Sequence, residues 1–171
     1  METWDAIRAR RNVRIFEERP IADVDLDRIL EAGRRAPSSR NWQPWDFVLV
    51  TDRSQLTELA KVWRGASHVA GAAAAIVSLG PVLDDEGKRD WLHYDHGQAT
   101  MSMAIAAADL GIGSSHAAVA DQALARQLLG HPDDRFAVSI LSLGYPADRP
   151  LVPLKNPNRR PFDEVVHRER W

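Results

Sequence analysis

The chain has no cysteine, which excludes disulfides, thiolate catalysis, cysteine-held iron–sulfur clusters and the common structural zinc sites. Any redox chemistry must come from a bound cofactor. A run of about 18 uncharged apolar residues is also missing, so no membrane-spanning helix is expected. The start, Met1-Glu2-Thr3-Trp4-Asp5, lacks the charged-then-apolar order of a secretory leader, which makes the cytoplasm the expected location. Nor is there an excess of charge of one sign. Lys and Arg number 22 against 24 Asp and Glu, a net charge of -2, so no basic field draws in nucleic acid or an anionic membrane.

What is present is an ordinary globular composition, 44% hydrophobic and 27% charged over 171 residues. That length suits a single domain spanning 1–171 with a true core, and no repeat or low-complexity tract divides it. Thr3 can cap a short helix that gives way near Arg10 to an extended Val13-Arg14-Ile15-Phe16. Asp23 and Asp25 begin a helix with Leu26, Ile29 and Leu30 inward, weakened at Gly33. Strands are expected at Trp45 to Val50, Ala72 to Leu79 and Phe136 to Leu143. Helices are expected after Asp52 or Ser54, from Trp91 to Leu110 with Gly111 closing it, and from Asp121 to Gly130. Asp84 to Asp90 reads as a solvated loop, and the longest helix as a largely buried one. The tail from Ala147 is rich in proline and arginine and ends near an apolar patch of Phe162, Val165 and Val166.

Four constellations carry chemistry. In an extended Arg10-Arg11-Asn12-Val13-Arg14, alternation turns Arg10, Asn12 and Arg14 to one side, where planar guanidinium forks suit a phosphate monoester. A solvated charged edge is the plainer reading. Arg159-Arg160 offers a second clamp from the far end of the chain. The loop Pro37-Ser38-Ser39-Arg40-Asn41-Trp42-Gln43-Pro44-Trp45 offers hydroxyls, amides and indoles suited to a planar heteroaromatic with an imide edge, or makes a simple Asx- and Ser-rich turn. Gly111-Ile112-Gly113-Ser114-Ser115-His116 follows a helix and has His116 in place of a third glycine, so it is no dinucleotide fingerprint. It is either a loop turning N–H groups toward a ligand or a plain helix cap. His93, Asp95 and His96 invite a metal, but no third and fourth ligand lies nearby, and polar contacts at a helix start explain them as well. Ser115-His116 lacks the strained turn of a hydrolase nucleophile.

Taken in order, Arg10 to Phe16, Ala36 to Trp45, Asp95 to Gly113, Leu143-Gly144-Tyr145-Pro146 and Arg159-Arg160-Pro161-Phe162 resemble the nitroreductase family over nearly the whole chain. The resemblance implies an α+β fold with a central, mainly antiparallel sheet flanked by helices, in an intertwined homodimer with FMN at the subunit interface. A C-terminal extension, about 147–171, would reach the partner subunit. By position, Arg10, Asn12, Arg14 and Arg159 would serve the flavin phosphate or pyrimidine, with Arg11 and Arg160 as near alternatives. Pro37, Ser38, Ser39, Asn41 and Gln43 of the other subunit would line the ring. The segment His116, Ala118, Val119 would supply a backbone N–H to flavin N5, and Arg14 a charge near N1 and O2. Trp42 or Trp63 would partly close the substrate pocket. The chemistry implied is hydride transfer from NAD(P)H through flavin to a nitroaromatic, quinone or similar small acceptor, with no side-chain acid or base required. Asn12 stands where the family often has serine, and Ala118-Val119 where some members carry glutamate and glycine, which alters redox tuning. The chain is short for the family, so a more open pocket is expected. The other readings are a flavin-storage protein, a same-fold dehalogenase or flavin-degrading enzyme, and a dimeric interaction module.

Overall fold

The sheet is organised around one strand whose two faces are both apolar. The computed structural model describes all 171 residues and gives, in chain order, α1 (Thr3–Ala9), α2 (Asp23–Arg34), β1 (Asp46–Val50), α3 (Arg53–Leu59), β2 (Ala74–Pro81), α4 (Glu86–Asp109), β3 (Gly113–Ala117), α5 (Gln122–Leu129) and β4 (Arg135–Gly144). The strands form one antiparallel sheet in the order β1-β2-β4-β3. Along β2 the side chains alternate: Ala75, Val77 and Leu79 enter one core with Leu56 and Leu59 of α3 and Ala125 of α5. Ala74 and Ile76 enter a second core with Leu26 and Ile29 of α2 and Met103 and Ala107 of α4. A strand buried on both sides reads as a continuous apolar run, which is why its periodicity is invisible in the sequence. The mixed, antiparallel fold class expected from the resemblance is the one observed.

Helix ends follow local chemistry. Asp52 accepts the Gln55 N–H, Asp85 that of Lys88 and Asp121 that of Leu124, each an oxygen acceptor for an otherwise orphaned donor. Asp85 therefore starts α4 at Glu86, so Glu86 to Asp90, expected as loop, are helical. Thr3 lies inside α1, after Glu2, and caps nothing. Gly33 is buried where α2 meets α4, and a Cβ there would stand 2.8 Å from Met103. Gly111 and Gly130 have φ of +74° and +68° and end their helices in left-handed conformations.

Two further expectations need correction. Gly113 to Ala117 is strand β3, where a loop was expected; its Ser-rich sequence lacks apolar alternation, and pairing with β4 supplies the order. Helix α4 is buried along one face only, at Leu92, Asp95, His96, Ala99, Met103 and Ala107. Its other face exposes Trp91, Tyr94 and Met101 at 56%, 61% and 46%. The tail after Gly144 holds only a short turn at Phe162–Glu164, with Phe162, Val165 and Val166 exposed. No helix is long and apolar enough to cross a membrane.

Candidate active site

The segment leaving α1 is laid across the sheet as a strap. Arg10 takes extended backbone angles at the helix end, Asn12 bridges Ser114 in parallel, and the Val13 N–H donates to the Ser114 carbonyl at 2.9 Å. Val13 sits directly over Gly113, and Phe16 over Gly144. The Glu17 N–H then donates to Tyr145 at 2.8 Å. Extended backbone separates neighbours to opposite sides. Arg10 and Asn12 line a cavity of about 350 Å³ against α4, β3 and β4, with Thr100, Ser114 and His116. Arg11 turns away, and its Nη2 donates to the carbonyls of Arg149, at 3.1 Å, and Pro150. Burial and the neighbouring Arg149 depress its proton affinity, partly restored by Asp148. Arg11 is therefore committed to the tail and is no alternative phosphate ligand in this arrangement. Arg14 is exposed and does not line the cavity, but lies close enough to His68 for its charge to act on that imidazole.

The tail supplies a second set of cations. Arg159 and Lys155 line a groove with Arg8 and Arg10, floored by Ile7 and Met101. Arg10 and Met101 belong to both walls, so the groove continues the first cavity. Arg160 points elsewhere, donating to the Glu164 carbonyl at 2.9 Å. Of the two arginines, Arg159 lines this groove and Arg160 does not.

The Pro37–Trp45 loop is held in a demanding shape. Arg40, Asn41 and Gln43 have φ of +51°, +58° and +52°, a region that side chains other than glycine enter at a cost and that clusters at ligand sites. Ser38 Oγ accepts the Gln43 N–H at 2.8 Å. Fully buried Asp95 accepts the Ser39 N–H at 3.0 and 3.2 Å. Asp95 is thus the loop's anchor, and no group of three His, Asp or Glu side chains is disposed for a metal. His96 is enclosed, with its ring nitrogens 2.9 Å from the Leu92 carbonyl and 3.2 Å from that of Leu79. Ser39, Arg40 and Trp42 face a separate cavity with Lys88 and Trp91, sharing no wall residue with the Arg10 cavity of the same protomer. Trp63 packs over Gly65 against the core beneath the sheet, apart from these cavities.

Beyond β3 the N–H groups of Ala118 and Val119 have no backbone partner within the protomer, while those of Ala120 and Asp121 both donate to Val62. On the far side of the sheet lies a group that sequence reasoning missed. His68 is only 8% exposed, with Nδ1 2.8 Å from Ser142 Oγ, and Ser142 donates its proton to the Ser115 carbonyl at 3.0 Å. The ring Nδ1 must then be the donor, and Nε2 is buried with no partner. Burial, then Arg14 and His116, lower its pKa, so the imidazole is held neutral. Arg8 and Lys155 also escape notice in the sequence, because their roles arise from contacts between distant segments.

Residues 7–81 and 56–145 match the family model described as Nitroreductase family. A relative from Archaeoglobus fulgidus, described by name as an NADH dehydrogenase/NAD(P)H nitroreductase, is 35% identical over 175 residues, covering 99% of each chain. An FMN reductase of Bacillus subtilis is 26% identical over 189 residues, 99% of this chain and 74% of the relative. A crystal structure from Parabacteroides distasonis, of a protein named like the first relative, superposes with a TM-score of 0.84 at 27% identity, covering 100% of this chain and 99% of that one.

Proposed function

Because this chain belongs to the nitroreductase family, we propose that it is an FMN-dependent oxidoreductase that transfers hydride from NAD(P)H to a small electron acceptor such as a nitroaromatic or quinone. The observation that carries this reading is Arg10, which stands at the junction of two grooves, one walled by Asn12 and His116 and the other by Arg159. Basic groups from both ends of the chain meet where a phosphate monoester needs charge-assisted donors.

The residues fit the cofactor at each end. Arg10, Asn12 and Arg159 hold the phosphate, and the unpartnered N–H groups of Ala118 and Val119 are donors for the ring edge near N5. Arg14, close to His68, would provide positive charge for the pyrimidine side, a preorganised stabilisation of developing negative charge. When bound, FMN would supply two-electron hydride-transfer chemistry between NAD(P)H and the acceptor. The protein's part is to bind, orient and partly exclude water.

The second subunit completes the enclosure in this proposal. Trp91, Tyr94, Met101 and Ile105 form a stripe on the outer face of α4, spaced three, seven and four residues apart, as a helix seam requires. Burying it against a second copy brings the partner's Pro37–Gln43 loop toward the Arg10 cavity, and the exposed apolar residues of the tail suit a path over that copy. The absorbance spectrum of the protein after saturation with FMN and removal of free ligand tests the reading. Retained flavin bands, bleached by NAD(P)H and restored by a quinone or nitroaromatic, are expected; absence of both binding and NAD(P)H oxidation would refute it.

A further inference from the structure

We propose that Arg11 is a positioning residue, which fastens the C-terminal tail so that Arg159 and Lys155 reach the groove beside Arg10. The inference rests on the FMN reading above and extends it to a residue that touches no part of the ligand.

The tail is joined to the rest of the protomer by very little. The Ala147 N–H donates to Ile15 at 3.0 Å and the Leu154 N–H to Arg8 at 3.3 Å. Between them Arg11 donates to the carbonyls of Arg149 and Pro150, the one side chain outside the tail that hydrogen-bonds to it. Beyond Leu154 no hydrogen bond ties the tail back, yet this is the part that carries Lys155 and Arg159 into the groove. The groove gathers Arg8, Arg10, Lys155 and Arg159 with no acidic side chain in its wall. Those four cations repel one another until an anion arrives, so the tail is electrostatically driven away from the place where it is needed. A guanidinium fork on two successive carbonyls resists that drift by fixing the chain five residues before Lys155. Arg11 does so despite lying against Arg149, a like charge that lowers its proton affinity. A surface arginine seeking only solvent would not stay there.

The role separates from a merely structural one by the ligand it affects. Arg159 acts on a phosphate, so loosening the tail should weaken FMN and spare riboflavin, which lacks the phosphate. Arg11→Met keeps the aliphatic stem and removes the fork. Fluorescence titration of the apo-protein should give an FMN Kd raised about tenfold, the scale of one lost charge-assisted contact, with riboflavin affinity unchanged. Arg159→Ala should produce the same pattern, and the double variant should be no weaker than either single one. Arg11→Lys, also the substitute if Arg11→Met fails to fold, should fall between wild type and Arg11→Met. In the apo-protein, amide exchange over 149–156 should quicken in Arg11→Met while β4 stays protected. Equal losses for FMN and riboflavin, additivity with Arg159→Ala, or unchanged exchange in the tail would each overturn the assignment. Wild-type protein that binds neither flavin would instead refute the cofactor reading itself.

Discussion

His68 illustrates how a residue without any local motif comes to be held neutral in the core. Its Nδ1 proton is fixed by Ser142, 74 residues away, and Ser142 is fixed in turn by the Ser115 carbonyl. Nothing in the sequence around His68 signals this, because the partners lie on two strands that meet only in the folded sheet. Alternation through Arg10, Arg11 and Asn12, by contrast, is legible from an extended backbone alone, and the structure turns Arg11 opposite to the other two. The depressed pKa of His68 carries a consequence for stability. The unfolded chain takes up a proton on this side chain as pH falls below the usual imidazole value near 6.5, while the folded chain does not until lower pH. Stability is thus fully present above that value and declines as pH falls toward the folded pKa. Thermal melts between about pH 8 and pH 5 should show this decline in the wild type and a shallower slope in His68→Asn, whose amide can still reach toward Ser142. Parallel slopes for the two proteins would exclude His68 as its source.

The strap depends on two glycines that its side chains lean upon. A Cβ at Gly113 would lie 2.7 Å from both Cβ and Cγ2 of Val13, atoms close to the backbone that move only if the strap moves. At Gly144 the obstruction is a ring carbon of Phe16, also 2.7 Å away but on a side chain that can swing. Gly113→Ala should therefore cost about 1–3 kcal/mol in urea unfolding, as overpacking does, and Gly144→Ala less. Because Arg10 and Asn12 ride on the same strap, Gly113→Ala should also weaken FMN binding more than Gly144→Ala. The reverse order in the flavin titration would detach the strap from the site. Both glycines stand in segments conspicuous in the sequence, but the reason for them, close approach of a crossing chain, requires the fold. The same holds for β3, whose Ser114, Ser115 and His116 give no strand signal, and for the first turn of α4, where a charged run hides the cap at Asp85.

At the scale of the whole molecule the net charge of -2 conceals a strongly uneven surface, since four cations surround one groove while the acids are spread elsewhere. Within one protomer the Arg10 cavity and the cavity faced by Ser39, Arg40 and Trp42 share no wall residue, although the loop is anchored at Asp95, between His93 and His96 of the Arg10 cavity. The sequence holds both halves of the candidate site in plain view, but their separation cannot be read from it, because that depends on which face of α4 each half rests on. If the site is completed across a dimer, each half is supplied by a different copy, and defects in the two halves should complement. Arg10→Glu reverses charge at the phosphate, and Asn41→Trp fills the space beside the ring. Each homodimer should fail to retain FMN at a concentration that saturates the wild type. After unfolding and refolding an equal mixture, half of the dimers are mixed, and each mixed dimer holds one site with both defects and one with neither. Flavin retention should then recover to about a quarter of the wild-type value, at the wild-type affinity. No recovery, with mixed dimers verified by native mass spectrometry, would mean that Arg10 and Asn41 serve the same pocket within one protomer, and retention of FMN by the Asn41→Trp homodimer that Asn41 serves none.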